Sequence, residues 1–235
     1  MPPCNRTWMT ARTLACAWSA LILMLSGPAL AGAPEEGKNF NTLTPPQPTS
    51  QSSRIEVVEF FSYGCPHCAH FSPMLNAWVA KLPPDVLFRR VPVSFNRDPW
   101  VNLQRTYYAL ESTGDLARLD GALFHALHQE RKPLYDESAL ADWVGHNGGD
   151  AERFTTAYTS LAVNKQSFQA DQMAQDYRIA GVPALAIDGR YVAHVAEGTT
   201  DEDLAMQELL ESADALIARE RGQRAPAKAV APQAK

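Results

Sequence analysis

Ile55-Glu56-Val57-Val58-Glu59-Phe60-Phe61-Ser62-Tyr63-Gly64-Cys65-Pro66-His67-Cys68 is the stretch that decides the fold. The β-branched and aromatic run from Ile55 to Phe61 has the density of a strand buried on both faces, as in the middle of a parallel sheet. Ser62-Tyr63-Gly64 turns the chain. Cys65-Pro66 then opens a helix, because proline suits a first helical position, where its missing N–H has no partner to lose. Phe71, Leu75 and Trp78 carry that helix to Leu82, with a kink predicted at Pro73. Beyond Pro83-Pro84-Asp85, Val86 to Phe95 reads as a second strand, which completes a βαβ unit.

The two cysteines of this unit sit at its strand-to-helix corner. Three helical steps place their Cα atoms roughly 5 Å apart, inside the range of about 4.4 to 6.8 Å that a disulfide spans, so the pair can close and open without backbone movement. Cys65, at the helix start, meets unsatisfied backbone N–H groups and the positive end of the helix dipole, both of which favour thiolate over thiol. It is the expected nucleophile. Cys68, one turn deeper, is the expected resolving thiol. His67 adds an imidazole next to the thiolate, and stabilising the reduced form makes the disulfide easier to donate. A zinc knuckle, with His70 as a further ligand, is the competing use of Cys-x-x-Cys. It needs four ligands, and the chain has no second cysteine pair.

Beyond Phe95 the spacing is helical from Asp98 to Ile179. Trp100, Leu103, Tyr107 and Leu110 form one core stripe, and Leu116, Leu119, Leu123 and Leu127 a second, started by Asp115. Leu140, Trp143 and Val144 follow Asp136; Phe154, Tyr158 and Leu161 follow Asp150; each aspartate is placed as an N-cap. A last helix runs from about Lys165 to Ile179. Gly181-Val182-Pro183 leads into Ala184-Leu185-Ala186-Ile187, a two-residue Asp188-Gly189 turn and Arg190-Tyr191-Val192-Ala193, a hairpin. A helix from about Asp201 to Arg221 closes the pattern. His125 and His128 read as an exposed helix edge, and His146 and His194 as loop or strand-end residues.

Before Ile55 the chain is of another kind. Residues 1–31 carry Arg6 and Arg12, no acid, an apolar run from Leu14 to Leu25 and the small residues Ala29-Leu30-Ala31, the layout of a cleaved export signal. Cleavage is expected after Ala31, with Ala33 as a second candidate. The apolar core is shorter than the roughly 20 residues of a membrane span. Residues 32–54, with Pro45, Pro46 and Pro48, read as an extended arm or linker in which only Phe40 and Leu43 offer apolar anchors. Boundaries follow at 55–97, 98–163 and 164–221, with a disordered tail at 222–235. The expected class is α/β, with a mixed central sheet, flanking helices and an inserted all-helical domain.

Composition sets the outer limits. At 235 residues and 46% hydrophobic, the chain has enough apolar material for a packed core. Twenty-one Lys and Arg against 26 Asp and Glu exclude a general nucleic-acid binder and a polybasic membrane-surface protein. Two of the four cysteines, Cys4 and Cys16, lie in the leader, so the mature chain keeps only Cys65 and Cys68. No thiol remains for a structural disulfide.

Phe60-Phe61-Ser62-Tyr63-Gly64-Cys65-Pro66-His67-Cys68, the helical insertion and Gly181-Val182-Pro183-Ala184 before a hairpin resemble the DsbA family of periplasmic thiol:disulfide oxidants, in the thioredoxin superfamily. The resemblance runs from about Asn39 to Arg221 and implies a thioredoxin fold. Its most specific element is Pro-His between the cysteines, where thioredoxins usually carry Gly-Pro. It implies a cis peptide bond before Pro183, facing the cysteines, and backbone hydrogen bonds from Val182 to a bound peptide. It also implies an acid at Glu59, which shares a strand face with Ile55, Val57 and Phe61. The residues leave two readings of Glu59 open: a buried proton relay for Cys68, able to pair with Arg90, or a strand-end carboxylate near solvent. Ser72 departs from the pattern, since many relatives carry an acid there.

The implied activity is oxidation of unfolded, cysteine-containing exported proteins, with reoxidation by a DsbB-like quinone-linked membrane protein and no diffusible cofactor. The expected location is the periplasm and the expected state a monomer. The alternatives are an isomerase or reductase of the same compartment and, in a different class, a metal or polypeptide binding module that uses the thiols as ligands.

Overall fold

The computed structural model describes residues 33–224; the export-signal reading and most of the tail lie outside the described residues. Ile55–Phe61 forms β2, with all seven residues buried. It pairs in parallel with β3 (Val86–Pro92), across the crossover helix α1 (Pro66–Val79). Its other edge pairs antiparallel with β4 (Ala184–Ile187), which forms a hairpin with β5 (Tyr191–His194). β2 therefore has a strand on either side and a packed layer on either face. Its uninterrupted apolar pattern reflects that position.

The edge of the sheet corrects the reading of residues 32–54. Phe40–Thr42 is β1, an antiparallel partner of β5, giving the sheet order β1-β5-β4-β2-β3. Phe40 and Leu43 are buried, as their apolar character required, and Phe40 packs edge-on against Tyr191 at 5.7 Å. The chain then stays on the hairpin turn: Leu43 N donates to Arg190 O and Gln47 N to Gly189 O, each at 2.7 Å. Residues 40–47 are thus tied to the sheet and are not a linker. Asp188 and Gly189 both have positive φ, as the Asp-Gly signal predicts, but Ile187 pairs with Tyr191, so three residues and not two join the strands. A side chain at Gly189 would run into the backbone of Gln47.

Between β3 and β4 come α2 (Asp98–Thr113), α3 (Leu116–His128), α4 (Glu137–His146), α5 (Ala151–Tyr158) and α6 (Leu161–Asp176). Asp136 and Asp150 accept backbone N–H groups of α4 and α5, as expected of N-caps. Asp115 occupies the cap position of α3, but its carboxylate accepts from Thr113 and Arg118 and makes no cap bond. The largest boundary difference is at α6. It starts at Leu161, not near Lys165, because Ser160 caps Val163 N at 3.2 Å. Leu161, read as part of the preceding apolar stripe, is 84% exposed.

The sheet separates two cores. Phe71 and Leu75 of α1 join Val57, Leu185 and Ile187 with Leu209, Ala213 and Leu216 of α7 (Glu202–Gln223). Val58, Phe60, Ala184 and Ala186 belong to the larger core shared with α2 to α6, which also holds Phe61, Tyr63 and both cysteines. Each fully buried side chain of this size contributes roughly 1.5–3 kcal/mol. The cysteine corner therefore stands where the strand bundle meets the helical insertion, on a rigid support. Among the described residues no helix is long and apolar enough to cross a membrane.

Candidate active site

Cys65 is the N-cap of α1, with extended backbone (φ −93°, ψ 118°), and Pro66 takes the first helical position. Cys65 N donates to Ser62 O at 3.1 Å, which closes the turn after β2. Both cysteines are free thiols in this structure; Cys65 keeps a sliver of exposure and Cys68 none. The Cys65 thiol donates to Val182 O at 3.4 Å, and the Val182–Pro183 bond is cis. The two sequence-distant parts of the candidate site thus meet at one sulfur.

The two thiols are pushed in opposite directions. Cys65 falls from 9.0 to about 6, first because Cys68 donates its S–H to the thiolate, then through the backbone N–H groups of Cys68 and His67 and the imidazole charge; burial opposes this. Sequence reasoning anticipated the backbone groups and the imidazole but not the leading contribution of the second thiol. Burial drives Cys68 well above its ordinary range, and its bond to Cys65 and the nearby Cys65 and Glu59 charges add to the rise. A nucleophile that ionises and a buried partner that holds its proton is the division of labour dithiol exchange requires.

Beneath them lies a buried ionic cluster. Glu59 is fully buried and directly opposite Arg90 in the β2–β3 register. Arg90 Nε donates to Glu59 Oε2 at 2.5 Å and Arg90 Nη1 to Asp120 Oδ1 at 2.8 Å, while the guanidinium lies 3.9 Å from the centre of the Phe61 ring. Tyr63 OH donates to the same Asp120 oxygen at 2.6 Å. Burial raises the Glu59 pKa against the pull of Arg90. Glu59 Oε1 has no hydrogen-bond partner among the described residues. A buried carboxyl with a raised pKa and one free oxygen, close enough for its charge to act on Cys68, is placed to exchange a proton with it.

Several contributors escaped the sequence reading. Asp120 precedes Phe124 by one helical turn and shares its buried face, a signal that was available. His128 is no exposed edge: its Nε2 hydrogen-bonds the Tyr63 carbonyl at 2.7 Å, bracing the loop before Cys65. Trp100 lies so close to Gly64 that a Cβ there would collide with its indole. Ser72 is buried in α1. His125 pairs with Glu130 at 3.2 Å and His194 with Asn41 at 3.1 Å.

A groove of about 1030 Å³ runs past the cysteine corner, with His67, Val182 and Pro183 in its wall. His67 Nδ1 lies 2.7 Å from Glu202 of α7. His70 Nε2 lies 2.8 Å from Asp203, but His70 does not line the groove. Among the described residues no three His, Cys, Asp or Glu side chains converge as a metal-holding group.

Comparison with known proteins agrees with this geometry. Residues 56–210 match the DSBA-like thioredoxin domain family. The thiol:disulfide interchange protein DsbA of Burkholderia cepacia is 38% identical over 164 residues, 69% of this chain and 77% of that one. DsbA of Pseudomonas aeruginosa is 38% identical over 185 residues, 79% of this chain and 85% of that one. The crystal structure of Pseudomonas aeruginosa DsbA superposes with a TM-score of 0.73 at 36% identity, covering 80% of this chain and 94% of that one. The oxidoreductase DsbA from Xylella fastidiosa gives 0.72 at 31% identity, covering 80% and 98%. The cysteine corner, the cis-proline wall, the helical insertion and these relatives together establish that the chain belongs to the DsbA family of thiol:disulfide oxidoreductases.

Proposed function

We propose that this chain oxidises newly exported, unfolded proteins by donating a Cys65–Cys68 disulfide. The observation that carries the reading is the opposed ionisation of the two thiols within one helical turn, beside the Val182–Pro183 groove wall. A substrate thiolate attacks Cys65 Sγ. The Cys65–Cys68 bond breaks, and its electron pair leaves on Cys68, which takes up a proton. A second substrate thiolate then attacks its own sulfur in the mixed disulfide and releases Cys65 as a thiolate. A leaving group that ionises near 6 departs readily at neutral pH.

Val182 supplies the groove-wall carbonyl, Pro183 fixes its direction, His67 and Pro66 tune the thiolate, and Glu59 serves Cys68 as proton store. Residues 1–31 direct export, the periplasm is the working compartment, and a DsbB-like quinone-linked membrane protein returns the chain to its oxidised form. The protein acts as a monomer without a diffusible cofactor.

Equilibration of the mature protein with glutathione buffers, followed by mixing of the oxidised form with a reduced, unfolded substrate, tests this. The expected result is rapid substrate oxidation and a potential well above the about −270 mV of thioredoxins. A potential at or below that value refutes the oxidase reading in favour of a reductase. Full activity after Cys65→Ser points instead to a binding module.

A further inference from the structure

His67 and Glu202 form a carboxylate–imidazole pair that the dithiol chemistry alone leaves unexplained. Glu202 is in the first turn of α7, and the side chains meet at 2.7 Å. A carboxylate can only accept, so Nδ1 donates, and in the neutral ring Nε2 is then the nitrogen with a free lone pair. Nε2 has no hydrogen-bond partner among the described residues, and the ring lines the groove next to Cys65. The other titratable groups in the groove wall are Glu36, Tyr177, Arg178, His194 and Glu197. Arg178 is committed to Thr44 O, and His194 to Asn41 and Val195 O. Only His67 stands against both the reactive cysteine and a carboxylate.

We propose that Glu202 is a positioning residue for the oxidation step, holding His67 so that Nε2 takes the proton from the incoming substrate thiol. The proposal rests on the oxidase reading. In the step, the substrate S–H proton passes to His67 Nε2 and the resulting thiolate attacks Cys65 Sγ. The Cys65–Cys68 bond breaks with its electron pair on Cys68, Cys68 is protonated, and the imidazolium returns its proton to solvent. An ordinary thiol is only about 3% ionised at neutral pH, so a base can accelerate attack by at most about 30-fold, and the gain must vanish once the substrate ionises by itself.

The test is single-turnover oxidation of a two-cysteine peptide by the oxidised mature protein, followed across pH for the wild type, Glu202→Ala and Asp203→Ala. Asp203→Ala removes the adjacent His70 pair from the same two helices without touching the groove. The expected result for Glu202→Ala is a loss of between about 3-fold and about 30-fold near neutral pH that closes above about pH 9.5 and is larger than any accompanying shift in the glutathione potential accounts for. Asp203→Ala should follow the wild type. A loss independent of pH, a loss matched by Asp203→Ala, or one that tracks a shifted potential overturns the proposal. Failure of the wild type to oxidise the peptide at any pH would refute the oxidase reading itself.

Discussion

Ionisation of Cys65 makes the stability of the reduced protein depend on pH in a direction that can be worked out. Its thiol sits at about 6 in the folded state against 9.0 when unperturbed. A group whose pKa is depressed by folding contributes stability that is fully present above the unfolded value and is lost as pH falls through the folded one. For this shift the linkage relation gives almost nothing at about pH 5, on the order of 1 kcal/mol at about pH 7 and on the order of 4 kcal/mol above about pH 9. Solvent screening at the sulfur's exposed edge reduces these figures, by roughly half. The same energy appears in the redox couple at about 20 mV per kcal/mol. The assay is urea unfolding of the reduced protein and of Cys65→Ser, both under reductant, from about pH 5 to about pH 8.5. We expect the wild type's advantage over the serine variant to grow with pH across that window, and thiolate absorbance to titrate with a midpoint near 6. An advantage that is flat, or that shrinks as pH rises, would refute the assignment of Cys65 as the ionised thiol.

Three further outcomes follow from the surroundings of the pair. Arg90→Met strips the buried Glu59 and the half-buried Asp120 of their cation and should cost about 3–5 kcal/mol in denaturant unfolding. Because Glu59 is already raised, removing Arg90 extends the range over which its charge is penalised, so the loss should be smaller at about pH 5 than at about pH 8; a larger loss in acid would contradict this. Gly64→Ala forces a methyl into Trp100 and should cost about 1–3 kcal/mol, with Trp100→Ala relieving part of it; additive losses in the double variant would rule out the contact. Phe40→Ala should cost about 3–5 kcal/mol in thermal or urea unfolding, as for any core phenylalanine, whereas a change below about 0.5 kcal/mol would return residues 32–54 to the status of a linker.

What the sequence disclosed follows the range of the interactions involved. β2, the Cys65–Cys68 corner, the Asp136 and Asp150 caps and the Asp188-Gly189 turn are specified by neighbours within one turn or one strand. β1 is not. Its three residues pair with β5, where Phe40 stands opposite Ala193, and nothing local distinguishes Phe40-Asn41-Thr42 from the proline-rich stretch after it. The α5–α6 break was hidden because Phe154, Tyr158 and Leu161 keep helical spacing straight through Ser160; only the cap bond from Ser160 shows that Leu161 starts a new helix and faces water. The candidate site divides in the same way. Its proposed nucleophile follows from helix electrostatics, but Glu202, reaching His67 from 135 positions away, needed the packing of α7 on α1.

That packing also explains why one motif produces two unlike thiols. Burial raises the pKa of both sulfurs; what separates them is which one receives donors. Cys65, at the helix start, collects the Cys68 thiol and two backbone N–H groups, enough to overcome its desolvation. Cys68, a turn deeper, spends its S–H on a hydrogen bond to Cys65, and its ionised form would be repelled by the charges of Cys65 and Glu59. Arg90 cannot rescue it, because that guanidinium is already divided between Glu59, Asp120 and the Phe61 ring. Each thiol thereby reinforces the other's state: the more firmly Cys68 keeps its proton, the better it donates to the Cys65 thiolate. Stabilising the reduced pair in this way, while the disulfide gains nothing comparable, moves the exchange equilibrium toward donation of the disulfide to substrate.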